Sequence, residues 1–150
     1  MNTGQAGPKH VLFTVQGAPC ALPADAVLGV ERITSVALVP NTVDWVLGVV
    51  QAQGNIVSAV DFSSFLGMPP TQPTPQSRLI VTSRGPITVG LVVDTVEMRA
   101  LDGTPSLGQG IMPEWARPFA GGMFDLGGKQ TILFDPDKLL FSDRMKHYRA

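Results

Sequence analysis

The sequence predicts a mostly β protein, and three features carry that prediction. Its apolar residues come in short runs rich in Val, Ile, Thr and Phe, such as Val11-Leu12-Phe13-Thr14-Val15 and Ile87 to Val93. Side chains branched at Cβ suit a pleated surface better than a helix. Glycine and proline, 16 and 13 of 150 residues, fall between the runs and provide the turns. Helical signals are brief, and only the segment after Asp135 combines an N-cap, a proline at the first helical position and the apolar Leu139-Leu140-Phe141.

Taken in order, residues 1–10 read as a flexible N-terminus, Val11 to Val15 as a strand, Gly17 as a turn, and Cys20 to Pro23 as a second extended piece. Ala24 to Val30 suits a single helical turn capped by Asp25, and Glu31 to Val39 is extended until Pro40 stops it. Trp45 to Val50 and Ile56 to Val60 form a hairpin about Gly54-Asn55, and Phe62 to Leu66 a helical turn ended by Gly67. Residues 67–77, GMPPTQPTPQS, hold four prolines and no charge, the composition of a linker, which places an exposed connection between two halves of the chain. Strands follow at Arg78 to Thr82, Ile87 to Val93 and Thr95 to Leu101, then a loop, GTPSLGQG, read as mobile. A hairpin of Ala116 to Leu126 and Gln130 to Phe134 turns at Gly127-Gly128, and residues 142–150 read as a basic helical tail with Arg144, Lys146 and Arg149 near the negative end of the dipole.

Composition excludes several functions. A net charge of -1 and a pI near 6.0 lack the positive footprint that nucleic acid or an anionic membrane requires. No apolar stretch approaches the roughly 20 residues that span a bilayer, so no membrane insertion is expected, and the N-terminal MNTGQAGPKH has no apolar core of a signal peptide. A single Cys20 makes neither a disulfide nor a zinc site, and a cytoplasmic, reducing location is the simplest reading. From Trp45 to Ser77, Asp61 is the only ionisable side chain; burial explains this better than a contact surface.

No catalytic constellation emerges. Asp61, Asp94 and Asp135 each end an apolar strand, and a trio of carboxylates invites acid–base chemistry, but Asp is also a favoured cap and turn residue, which is the better reading here. His10 and His147 near the chain ends read as solvated surface residues, and Cys20 as a small core residue. The glycine-rich LGGKQT lacks the rest of a phosphate loop. Trp45, Trp115 and Phe119 suit core packing at least as well as an interface. No cofactor, metal or catalytic residue is therefore expected.

A series of motifs carries a family resemblance: Val27-x-x-Val30, Asp44-Trp45-Val46-Leu47-Gly48-Val49 followed by Gly54 and Val60-Asp61-Phe62, Gly90-Leu91-Val92-Val93-Asp94-x-Val96, and Gly121-Gly122-Met123 to Leu133-Phe134-Asp135-Pro136-x-Lys138-Leu139-Leu140. In this order, across residues 11–141, they resemble the CheW-like domain. The resemblance implies one domain of two small SH3-like β-barrel lobes packed side by side, with short helices and a C-terminal helix. It also implies a non-enzymatic adaptor coupling a methyl-accepting chemoreceptor, at its cytoplasmic tip, to the regulatory domain of a CheA-type histidine kinase. Partner contacts are then expected at Val27, Gly29, Val30, Gly48, Gln53 and Gly54 of one lobe and at Gly90 and Val92 of the other, although Gly48 and Gly90 fit a barrel bend equally well.

The chain departs from the family pattern. Where the family writes Val-x-Glu-Val/Ile it has Val27-Leu28-Gly29-Val30, and where the family writes Asn-Leu-Arg-Gly it has Gln51-Ala52-Gln53-Gly54. Ser58 stands for a common Pro and Ser63 for a common Arg. The neutral Gly29 and Gln53 are expected to lie together as an uncharged patch that alters partner choice, so that restoring either charge alone is harmful. One rival is a CheW-like scaffold of a non-chemotactic array, such as a type IV pilus or gliding pathway. Another is a small β-barrel enzyme or ligand-binding protein using Asp61 or Asp94.

Overall fold

A computed structural model describes residues 9–33, 36–38, 43–101, 105–106 and 112–145. Ten strands among these build two five-stranded sheets. In chain order they are β1 (Lys9–Val15), β2 (Ala18–Pro23), β3 (Val27–Arg32), β4 (Val46–Ala52), β5 (Asn55–Asp61), β6 (Arg78–Arg84), β7 (Ile87–Val93), β8 (Thr95–Ala100), β9 (Ala120–Leu126) and β10 (Lys129–Phe134). Among the described residues, helix is confined to α1 (Phe62–Phe65), α2 (Pro136–Leu140) and single 3-10 turns at Ala24–Ala26 and Arg117–Phe119, with a further turn beginning at Asp143. The expected two small SH3-like barrels are the architecture found, one with strand order β8-β1-β2-β10-β9, the other β3-β6-β7-β5-β4.

The two sheets repeat one pattern. A constant offset carries Gly48 to Gly122, the turn Gln53-Gly54 to Gly127-Gly128, and Asp61 to Asp135. In each lobe the last strand of this hairpin pairs in parallel with the strand of another hairpin, β5 with β7 and β10 with β2. The repeat is circularly permuted, since β1 and β2, at the start of the chain, complete the lobe that β8, β9 and β10 begin. Each barrel closes in the same way, by a short segment beyond its first strand. Ala37 exchanges two backbone bonds of 2.9 Å with Val49, and Ser106 two of 2.8 Å with Met123.

This topology corrects the reading of residues 67–77. They run from α1 to β6 within a single sheet, and the chain crosses between lobes at β2 to β3 and at β7 to β8. Composition identified an exposed, irregular segment; which strands it joins depends on pairing between distant residues, which composition does not report. The segment is also held in place: Asp61 accepts from the Thr71 N–H at 3.0 Å, and Gln16 Nε2 donates to Pro69 O at 3.0 Å.

Local signals set most element boundaries. Asp61 caps α1 by accepting from Ser64 N–H and, at 3.1 Å, from Ser64 Oγ, and Gly67 with φ +88° ends the turn. Asp135 caps α2 by accepting from the N–H groups of Asp137 and Lys138 at 2.9 and 3.4 Å. Asp94 instead receives the Gly17 N–H, tying the β1–β2 turn to the start of β8. The 3-10 turn after Pro23 is uncapped by Asp25, which faces Arg84, and extended structure resumes at Val27, earlier than expected. Val39, Pro40 and most of GTPSLGQG lie outside the described residues.

The main core lies between the lobes. Val11, Phe13, Leu22, Ile132 and Phe134 of one sheet pack with Val46, Val60, Ile80, Leu91 and Val93 of the other. Aromatic rings bind them: Phe62 meets Phe134 at 5.2 Å and Phe13 at 5.9 Å, and Trp45 meets Phe65 edge-on at 4.9 Å. A smaller cluster, Ala52, Val57, Ala59, Leu79, Val81 and Val92, fills the second barrel. Trp45 and Phe119 are core residues, Trp115 packs against that core, and most apolar residues of the charge-poor stretch are buried. His10 departs from expectation: it lies in β1, 6% exposed, edge-on to Phe124 at 5.5 Å. His147, Lys146 and Arg149 lie outside the described residues, whereas Arg144 stacks over Trp45 and Phe65 at 5.7 and 5.5 Å.

Asp61 is 2% exposed and satisfies donors from two segments. Replacing it by Asn keeps one acceptor and loses the charge assistance, so Asp61→Asn is expected to cost about 0.5–2 kcal/mol in chemical denaturation, with Asp94→Asn at the lower end. Loss of an enzymatic activity with either substitution would contradict their structural role.

Candidate partner-binding surface

The residues expected to bind partners gather in one lobe. Val27, Gly29 and Val30 lie on β3, Gly48 on β4, and Gly90 and Val92 on β7, all in the same sheet. The placement of Gly90 and Val92 on the other lobe is therefore wrong. Both also face inward: Val92 has no exposed surface, and a Cβ on Gly90 would come 2.6 Å from Leu79 Cδ1. Gly90 is glycine because Leu79 fills the barrel there.

Gly48 is also a packing residue. Its φ is +149°, it sits at a register shift between β4 and β5, and a Cβ would stand 1.9 Å from Ala37 O. A bulge lets the closing segment cross its face, so the barrel-bend reading holds for this glycine.

The hairpin between β4 and β5 turns at Gln53-Gly54, one residue before the expected Gly54-Asn55. Both have positive φ, +52° and +74°, as a two-residue type I′ turn needs. The strain on a non-glycine residue at Gln53 is offset by Glu31, whose Oε2 accepts from Gln53 N–H at 3.0 Å and Nε2 at 2.6 Å. Gln53 lies directly over Gly29, where a Cβ would be 2.3 Å from Nε2. The expected proximity of Gly29 and Gln53 is thus found, but the patch is not uncharged. Glu31 places a carboxylate there from two positions along β3, on the same face of the strand as Gly29. That i, i+2 relation is legible in the sequence, outside the two motif positions themselves.

Exposed apolar side chains lie nearby on the same sheet: Leu28 at 52% and Val30 at 37%, on the face of β3 away from Gly29 and Glu31, and Ile56 at 75% beside the turn. Here the apolar hairpin does present surface, at its tip rather than along its length.

A double-mutant cycle tests this geometry. Gly29→Glu displaces the Gln53 side chain and sets a second carboxylate beside Glu31, costing about 1–3 kcal/mol. Gln53→Arg alone should be nearly neutral, because Glu31 receives the guanidinium, which corrects the expectation that either change alone is harmful. The double variant should recover part of the loss, with a coupling of about 0.5–3 kcal/mol in urea denaturation; strict additivity would contradict the contact.

The remaining candidates for chemistry are engaged elsewhere. Cys20 is fully buried, and burial first, then the Asp94 carboxylate, pushes its thiol far above the ordinary range, so it stays protonated. Among the described residues no cluster of three His, Cys, Asp or Glu side chains could hold a metal, and no helix is long and apolar enough to cross a membrane.

Two permuted β-barrel lobes sharing one core, with a hairpin tip tied to the neighbouring β3 strand, define a two-lobed β module. The chain belongs to the CheW-like domain family, whose pattern matches residues 9–144. It is 29% identical over 143 residues to the chemotaxis protein CheW of Rhizobium meliloti, covering 91% of this chain and 90% of the relative. It is 30% identical over 94 residues to protein FrzA of Myxococcus xanthus, covering 61% of this chain and 59% of the relative. The crystal structure of the scaffolding protein TtCheW from Thermoanaerobacter tengcongensis shares the fold, with a TM-score of 0.74 at 22% identity, covering 86% and 89% of the two chains.

Proposed function

We propose that this protein is a chemotaxis coupling adaptor that joins the regulatory domain of a CheA-type histidine kinase to the cytoplasmic tip of a chemoreceptor. The observation that carries this reading is membership of the CheW-like family across both lobes, alongside a relative named as a chemotaxis protein over nearly its whole length. Its action is assembly: exposed Leu28 and Val30 of β3 and Ile56 of the hairpin offer contact area, and the Glu31–Gln53 tie joins the hairpin turn to β3. Val27, Gly29, Val30, Gln53 and Gly54 belong to this contact surface, while Gly48, Gly90 and Val92 support it from beneath.

The likeness to FrzA and the replacement of the family's charged pair favour a second reading, a scaffold for a non-chemotactic array. Affinity capture from the native cell separates the two. Recovery of a CheA-type kinase with a chemoreceptor, weakened by Val30→Asp, supports chemotaxis. Recovery of a kinase of a pilus or gliding system supports the second reading, and capture of neither overturns both.

A further inference from the structure

The two lobes differ at one matched place. Ala59 lies opposite Gly90 as Leu133 lies opposite Ala21. Following the pairings outward, Val81 corresponds to Leu12, Gly29 to Glu97 and Glu31 to Arg99. In the β3–β7 lobe the barrel mouth is plugged by Gln53, lying over Gly29 and tied to Glu31. In the other lobe the plug's counterpart is Gly127, which has no side chain, and a cavity of about 410 Å³ opens there. That volume falls within the roughly 300–1,000 Å³ of small-molecule sites.

The lining shows what would fit. Leu12 and Leu126 supply an apolar floor, and Thr131, 2% exposed, stands where the plugged lobe has Val57. Arg99 and Lys129 line the opening, and among the described residues neither has an ion pair. Glu97 is the acid among the lining residues, leaving a net positive rim. Two cations beside an apolar hollow suit a carboxylate carrying a short apolar body.

We propose that the mouth of the β8-β1-β2-β10-β9 barrel binds a small organic carboxylate, its head on Arg99 and Lys129 and its body on Leu12 and Leu126. Such a ligand has two sources, a simple branched fatty acid or an amino acid whose ammonium group meets Glu97. This site is separate from the hairpin tip assigned to protein partners, so it stands or falls independently of that assignment.

Amide NMR titration of the whole protein tests it, with 4-methylpentanoate and leucine as probes, each to about 20 mM. Saturable shifts in β1, β8 and around Leu126 are expected, competitive between the probes; tighter leucine binding identifies the amino acid source, tighter 4-methylpentanoate the simple acid. Arg99→Gln should raise Kd at least about fivefold. Glu97→Gly combined with Gly127→Gln builds the other lobe's plug into this mouth and should abolish the shifts while the rest of the spectrum persists. Absence of saturable shifts with both probes, or shifts unchanged in the plugged variant, would overturn the proposal. If the plugged variant does not fold, an affinity unaffected by Arg99→Gln with Lys129→Gln would overturn it equally.

Discussion

Cut within the proline-rich segment, residues 1–72 and 73–150 expressed separately will each give poorly dispersed NMR spectra, and mixing them will restore a folded protein. The cut divides both sheets. In one it separates β1 and β2 from β8, β9 and β10; in the other it parts β3, β4 and β5 from β6 and β7. Every fragment then exposes half of the shared core, with Phe13 and Phe62 on one side and Phe134 on the other. Fragments below about 80 residues rarely bury enough apolar surface to offset chain entropy even with intact sheets. A single well-dispersed fragment would show that half of the chain folds without the strands that pair with it from the other half, against the permuted pairing.

Gly48→Ala will destabilise the protein by about 2–5 kcal/mol, measured by urea denaturation, because it combines a backbone conformation closed to other residues with a collision against main chain. Its φ is +149° and the clashing atom is Ala37 O, which cannot retreat without breaking the bonds that close the barrel. Gly122→Ala should behave alike, since φ is +152° and the added carbon would lie 2.7 Å from Ser106 O. Gly90→Ala is the contrast. It has ordinary φ and meets only the Leu79 side chain, so about 1–3 kcal/mol is expected as that leucine repacks. Equal losses at Gly48 and Gly90 would show that backbone closure is not what Gly48 serves.

If Gly48 and Gly122 hold the barrels shut, a residue that looks functional in a linear reading can serve the fold instead. Gly48, Gly90 and Val92 read as contacts in the sequence, and all three shape or fill the barrel. The proposed contact surface draws instead on exposed Leu28, Val30 and Ile56 and on the bond between Glu31 and Gln53. Glu31 does not stand out when a motif is compared position by position, whereas a strand places i and i+2 on one face and lets either serve.

The sequence by itself determined the mostly β class, the short strands and their turns, and the caps at Asp61 and Asp135, because alternation, β-branching and capping act within a few neighbouring residues. The ordered series of motifs was also enough to place the chain in its family. Tertiary structure alone decided that the first two strands complete the barrel begun by β8, β9 and β10, that residues 67–77 stay within one sheet, and that His10 is buried. It also decided that one barrel mouth is plugged while its counterpart is open. Each of these depends on which strands pair across long separations, and that choice is settled by the burial of one core shared between the lobes, a free energy that no local segment contains.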